Sequence, residues 1–217
     1  MNRVSRVLLA IGLVGLLGGA SAPVTSAVTP TRGAPQVISG TGDSVPTVQP
    51  IDEPVIITLT HDGTSNFIVK PIGKDGEDGF SWVNEIGPFT GTVYQEMDAL
   101  FAPYNKKNPI VAVEVLADGN WTMDIRKLSA APKQPIAKGS GSGMAVIQFP
   151  KGSAGFMRMT LTHDGDSNFI VKPITKSGDV GFSLVNEIGP YSGTVRVPSG
   201  TKYLWVDANG GWTYATK

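Results

Sequence analysis

Cysteine is absent from the 217 residues. With it go disulfide frameworks, thiolate zinc sites, cysteine nucleophiles and the lipid-modified cysteine of a bacterial lipoprotein. Histidine is nearly absent too: His61 and His163 are the only two, so a multi-histidine metal site is excluded in practice. Charged side chains are scarce at 17% and they cancel, 18 Lys plus Arg against 18 Asp plus Glu. That balance argues against a nucleic-acid partner, because neutralising phosphates needs a basic surface. Long apolar runs are also missing. The longest, Val7 to Leu17, is about half of the ~20 residues a membrane-spanning helix needs.

That short run follows Arg3 and Arg6 and leads into small residues, the layout of a secretory signal peptide over residues 1–27. Cleavage is expected after Ala27, since Pro23 would follow the alternative cut after Ala22. Removal takes away two arginines and leaves 16 basic against 18 acidic side chains, a mildly acidic product. The C-terminal residues 212–217 carry neither a sorting signal nor a hydrophobic tail. No membrane anchor is therefore expected, and the product is released or held at the cell surface non-covalently.

What the sequence has in abundance is itself. Thr58 to Ile72 and Thr160 to Ile174 differ at one position, Thr64 against Asp166. Gly79 to Val93 pairs at the same offset with Gly181 to Val195, exchanging only Trp82/Leu184, Phe89/Tyr191 and Thr90/Ser192. Farther on, residues 117–122 match 208–213, so the first copy holds eleven extra residues, placed between Tyr94 and Ile110 as a helical turn or an extended loop. This gives a disordered leader at 28–36, a first unit at 37–129, a Pro-containing linker at 130–136 and a second unit at 137–217. Each unit is expected to open with a Gly/Ser turn, Ser39 to Gly42 or Ser140 to Gly143, followed by a short apolar strand.

Within the units the apolar period is two. Trp121, Met123 and Ile125 alternate with polar residues, as Val111, Val113 and Val115 do with Ala112 and Glu114, marking half-buried strands. Phe67 to Val69 reads as a strand ending near Pro71, and Asp62-Gly63, Asp118-Gly119 and Asn209-Gly210 read as turns. Short strands spaced by turns predict an all-β protein of two tandem antiparallel β-sandwiches, jelly-roll-like, with six to eight strands each.

His61-Asp62 and His163-Asp164 carry the most chemical promise, imidazole being a base or ligand near neutrality. Along an extended chain, however, neighbouring side chains point to opposite faces, which spoils a His-Asp dyad. The simpler reading has His end a strand while Asp bonds to turn backbone two residues on. A triad would need Ser65 or Ser167 with Glu85 or Glu187, and no G-x-S-x-G elbow presents either serine. No enzyme is expected. Two copies of a site suit linked weak binding better.

Calcium is a lesser possibility, through Asp62, Asn66 and Glu85 or Asp164, Asp166, Asn168 and Glu187, although the spacing of a dedicated calcium loop is missing. Otherwise no metal or cofactor is expected. Trp82, Trp121 and Trp212 read as core. Tyr203 and Trp205 should face away from the core, where the first unit has Ala112 and Glu114. They are candidates for a sugar-stacking platform, or else for the contact between the two units or a face covered by a neighbouring loop, and these contact readings are preferred. Asn84-Glu85 and Asn186-Glu187 stand out as polar pairs inside otherwise apolar strands, open both to a functional role and to a strand end whose Asn bonds to the turn Gly87-Pro88 or Gly189-Pro190, and the sequence ranks neither first. The candidate ligand-binding set is thus Tyr203, Trp205, His61, Asp62, Asn66, His163, Asp164 and Asn168.

The constellation THDG-x-SNF-x-V, VNEIGP-x-x-GT and A-D/N-G-x-W-T resembles a β-sandwich repeat of proteins exported by Gram-positive bacteria and archaea. In general plan it is also similar to the pre-peptidase C-terminal type of jelly-roll module. The first resemblance spans both units and implies the sandwich fold and export, while being silent on activity. The second implies an appendage of secreted enzymes, although no catalytic domain is expected beside the two units. The expectation is a secreted, non-enzymatic binding protein, its partner an extracellular or cell-wall polysaccharide. The alternative is a structural or protein-interaction module binding an envelope protein.

Overall fold

The computed structural model describes residues 34–98 and 103–217. The expected signal peptide and residues 28–33 of the leader lie outside the described residues. Eight strands form unit 1: β1 (Gln36–Thr41), β2 (Thr47–Ile51), β3 (Val55–His61), β4 (Asn66–Gly73), β5 (Val83–Ile86), β6 (Phe89–Gln95), β7 (Ile110–Leu116) and β8 (Asn120–Lys127). Eight more form unit 2: β9 (Lys138–Ser142), β10 (Ala145–Gln148), β11 (Met157–His163), β12 (Asn168–Thr175), β13 (Val185–Ile188), β14 (Tyr191–Val197), β15 (Thr201–Ala208) and β16 (Gly211–Thr216).

Unit 1 packs sheet β1-β8-β3-β6 against sheet β2-β7-β4-β5. Unit 2 repeats the same order eight strands later, β9-β16-β11-β14 and β10-β15-β12-β13. This alternation of eight antiparallel strands between two sheets is the jelly roll, so the chain is two tandem jelly-roll sandwiches.

Each sandwich is held by the inward half of its alternating strands. In unit 1 Leu59, Phe67, Val69, Val113, Val115, Trp121, Met123 and Ile125 meet between the sheets, and in unit 2 Leu161, Phe169, Val171, Leu204, Val206, Trp212 and Tyr214 do. At about 1.5–3 kcal/mol for each large apolar side chain buried, such layers supply the driving force that disulfides cannot.

Several local expectations are revised. The Gly/Ser stretches are the first strands themselves, with the turn confined to Gly42 and Gly143, at φ +69 and +65. The reason lies in the tryptophans: a Cβ on Gly40 or Gly141 would stand 2.4 or 2.2 Å from Cζ2 of Trp121 or Trp212. Strand β1 also begins at Gln36, the last residue assigned to the leader. Strands β4 and β12 continue through Pro71 and Pro173. The Pro71 carbonyl accepts from Gly79 N and Tyr104 Oη, at 3.0 and 2.7 Å, away from β7. A missing N–H on that side removes no ladder bond. The insertion contributes Tyr104 to the core of unit 1, 1% exposed, a role its sequence did not signal.

The linker is packed rather than strung between the units. Leu128 opens a single 3-10 turn, Leu128–Ala130, and with Ala131 joins Ile56, Tyr94, Val146, Ile174 and Tyr203 in a third apolar cluster. Tyr94 Oη donates to Gly178 O across that contact, and Val180 N donates to Glu96 Oε1 at 3.0 Å. Thr92 N of β6 donates to Met144 O at 2.9 Å. Unit 1 thus sits with its β6 edge on the outer face of the unit 2 sheet that contains β15. Among the described residues no helix is long and apolar enough to cross a membrane.

Candidate functional site

The three repeated motifs meet at one end of each sandwich. His61 ends β3 buried, its ring stacked on Phe67 at 4.5 Å and 7°. Its Nδ1 donates to Gly87 O at 3.0 Å, since a carbonyl can only accept, and this fixes the proton on Nδ1. Gly87 N in turn donates to Ser65 O at 2.8 Å. His163 repeats every element: stacked on Phe169 at 4.6 Å and 7°, bonded to Gly189 O at 3.0 Å, with Gly189 N on Ser167 O. The histidine therefore pins the turn after β5 or β13 to the loop after β3 or β11.

Asp62 completes the clasp, but not as expected. Its oxygens accept from Asn120 N at 2.6 Å and Asn120 Nδ2 at 2.9 Å, across to the β7–β8 hairpin rather than two residues along its own turn. These bonds, the Asn120 amide foremost, lower the Asp62 pKa. Asp164 Oδ1 accepts from Gly211 N at 2.6 Å in the same way. Asp118, which sequence reasoning passed over, accepts from Thr64 N and Ser65 N, both at 3.0 Å, and these backbone N–H groups lower its pKa. Its other oxygen stands 3.3 Å from His61 Nε2, outside hydrogen-bond geometry. In unit 2 the position is Asn209, bonded to Ser167 N and Asp166.

Of the oxygens named as calcium candidates, the clasp takes both of Asp62 and one each of Asp164 and Asp166, while the side chains of Asn66, Glu85, Asn168 and Glu187 take no part in it. Among the described residues no three His, Asp or Glu side chains converge to hold a metal ion. Neither Ser65 nor Ser167 offers its hydroxyl to the adjacent histidine. Asn84 and Asn186 are exposed, and their side chains make no bond to turn backbone.

The clasp does hold one open feature in place. Between the units lies a cleft of about 350 Å³. Unit 1 lines it with Glu85, Pro88, Phe89 and Thr90 from the pinned turn. Unit 2 contributes Gly143, Met144, Ser167, Asn168, Asp207, Ala208 and Asn209. Asp207 is partly buried, and burial first, then the Glu85 carboxylate, raises its pKa against the opposing pull of Lys172. Of the eight candidate residues, Asn168 alone lines this cleft. Glu85 and Asp207, on different units, could be brought together only by the docking of one unit on the other, which no spacing along the chain announces.

Tyr203 and Trp205 take the contact explanation. Both point outward from β15 as expected, and unit 1 covers them: Tyr203 is 4% exposed, and Tyr94 meets the Trp205 ring edge-on at 6.2 Å. An open two-ring platform is therefore corrected to an inter-unit seam. Trp205 stays partly open, with Lys172 Nζ 5.0 Å from its ring. It lines a second groove of about 210 Å³ with Phe80, Trp82, Tyr94 and Tyr104.

Fold and site together define a tandem jelly-roll protein with a polar cleft between its units. No family model matches this chain, and no curated protein sequence matches it.

Proposed function

We propose that this is an exported, non-enzymatic protein that binds extracellular or cell-wall polysaccharide along the seam between its two units. The observation that carries the reading is the composition of the 350 Å³ cleft. Carboxylates of Glu85 and Asp207 and the amide of Asn168 are groups that hydrogen-bond sugar hydroxyls, and Phe89 adds apolar ring surface for a pyranose. The aromatic groove at Trp205 lies farther along the same seam, toward Gln95, the other end of β6. Strand β6 runs for roughly 20 Å between the two, a length suited to several linked sugar units rather than one.

The test is retention of the purified protein on insoluble cell walls and polysaccharides, beside a Glu85→Ala/Asn168→Ala variant. Both side chains are exposed, so the fold should survive. Retention of wild type with loss in the variant supports the cleft, and no retention on any matrix overturns it. A raised carboxyl beside a second carboxylate is also what glycoside hydrolysis requires. Release of soluble sugar from a retained matrix would therefore overturn the non-enzymatic part of the reading alone.

A further inference from the structure

Unit 1 docks on unit 2 through an edge and a face, and each unit owns both. The edge is β6, outermost in its sheet, where Tyr94 lies opposite Ile56 of β3. The face is the outer side of β10-β15-β12-β13, where Trp205 meets the Tyr94 ring and Gly178 O accepts its hydroxyl. The equivalent edge in unit 2 is β14, and among the described residues no strand pairs with its outer side. The equivalent face in unit 1 is the outer side of β2-β7-β4-β5. Gly178 is buried under Pro54 and Tyr94, whereas its counterpart Gly76 has nothing within 4 Å of a Cβ position. Val146 is buried in the contact, whereas its counterpart Val45 is 61% exposed. Duplication has left an unused edge on one unit and an unused face on the other.

The residues at those unused positions are complementary in charge. Buried Ile56 and Tyr94 are replaced on β11 and β14 by Arg158 and Arg196, exposed and directly opposite one another. Like charges so placed repel. Both guanidinium groups lie over exposed Phe156, at 5.9 and 5.3 Å, and neither has a carboxylate partner among the described residues. On the unused face the counterpart of Trp205 is Glu114 and that of Val180 is Asp78. These two carboxylates share one ammonium group, Lys70, at 3.5 and 3.7 Å.

We propose that the protein associates head to tail with a second copy of itself, the β14 edge of one chain seating on the outer β2-β7-β4-β5 face of the next. Arg158 and Arg196 occupy there the places of Ile56 and Tyr94 and meet Glu114 and Asp78. The contact is heterologous, so copies add end to end unless the rotation between them closes a ring. Resting on exposed charge, it is weak and is screened by salt.

Sedimentation velocity of the purified protein, from micromolar to about 1 mM, tests this at low and high salt. The expected result is a mass that grows with concentration and falls toward monomer as salt is raised. Arg196→Glu should weaken association by roughly tenfold or more, and so should Glu114→Arg. Each variant blocks a different end, so their equimolar mixture should regain association that neither variant shows alone, through the wild-type edge of one and wild-type face of the other. A wild type that stays monomeric throughout overturns the proposal and makes the arginines guards of an exposed edge. Association that Arg196→Glu leaves unchanged overturns it as well.

Discussion

Gly141→Ala isolates the contact on which unit 2 closes. A methyl group at residue 141 would lie 2.2 Å from Trp212 Cζ2, while carbons in contact sit at about 3.5–4.0 Å, so the ring must retreat by about 1.5 Å. It has little room to do so. Trp212 is 2% exposed and its Nε1 donates to Gly143 O at 3.0 Å. Overpacking of this kind costs about 1–3 kcal/mol and the strained hydrogen bond about 1 more. Against this, replacing Gly restricts the unfolded chain and returns about 0.4–1 kcal/mol. The net loss is about 2 kcal/mol, a fall of roughly 10 °C in the Tm of a unit this size. Calorimetry should show the unit 2 transition moving while unit 1 stays, and Gly40→Ala should do the reverse. In a Trp212→Phe background, where the ring no longer reaches residue 141, the second substitution should be close to neutral. Gly141→Ala as stable as wild type, or equally damaging in that background, would refute the reasoning.

Three further outcomes follow from the same geometry. Tyr104→Phe removes the buried hydroxyl bond to Pro71 O and should destabilise unit 1 by about 1 kcal/mol. Burial also pushes the Tyr104 phenol up to about 12. Wild type should therefore lose stability as pH rises from ~10 toward that value and the variant should not, which alkaline unfolding curves will show. Asp207 is likewise raised, so its contribution to stability is present below the ordinary carboxylate range and is lost as pH rises through the folded value. Asp207→Asn should flatten that dependence and gain most at neutral pH in thermal melts compared at pH 4 and 7. Asp118 is lowered, so its contribution is present above the ordinary range and is lost as pH falls through the folded value. Asp118→Asn should then cost more at pH 6 than at pH 2, read by urea unfolding.

The sandwich was legible because alternation is a local signal: Trp121, Met123 and Ile125 point inward for the same reason that Thr122 and Asp124 do not. The repeat added a second copy of each strand and so fixed the number of units. What could not be read was anything created by docking. Glu85 and Asp207 are 122 residues apart in sequence, and neither carries a local mark of the cleft. Asp62 was legible as a turn residue but not as a bond to Asn120, because that partner arrives on another hairpin. Tyr203 and Trp205 lay between the two regimes. Alternation sent them outward correctly, and only the packing of Tyr94 and Ile56 decided that outward meant covered.

The two copies agree and differ in different places, and the pattern has a physical cause. His61 and Phe67 recur unchanged as His163 and Phe169 because their rings stack and the imidazole holds the turn carbonyl, and Gly87 recurs as Gly189 because that turn residue sits at φ +90. Among the positions that diverge, Ile56/Arg158, Tyr94/Arg196 and Glu114/Trp205 lie on outer surfaces that meet different neighbours in the two units. Ile56, Tyr94 and Trp205 face another unit of the same chain, at fixed distance and effectively high concentration, so apolar contacts there close permanently. Arg158, Arg196 and Glu114 stand at the same positions with no unit of their own chain against them. Apolar side chains on such an edge and face would invite uncontrolled stacking of chains, whereas charge leaves a contact that ionic strength can open. Divergence at these positions thus separates the seam that is always closed from the surfaces that meet solvent and partners.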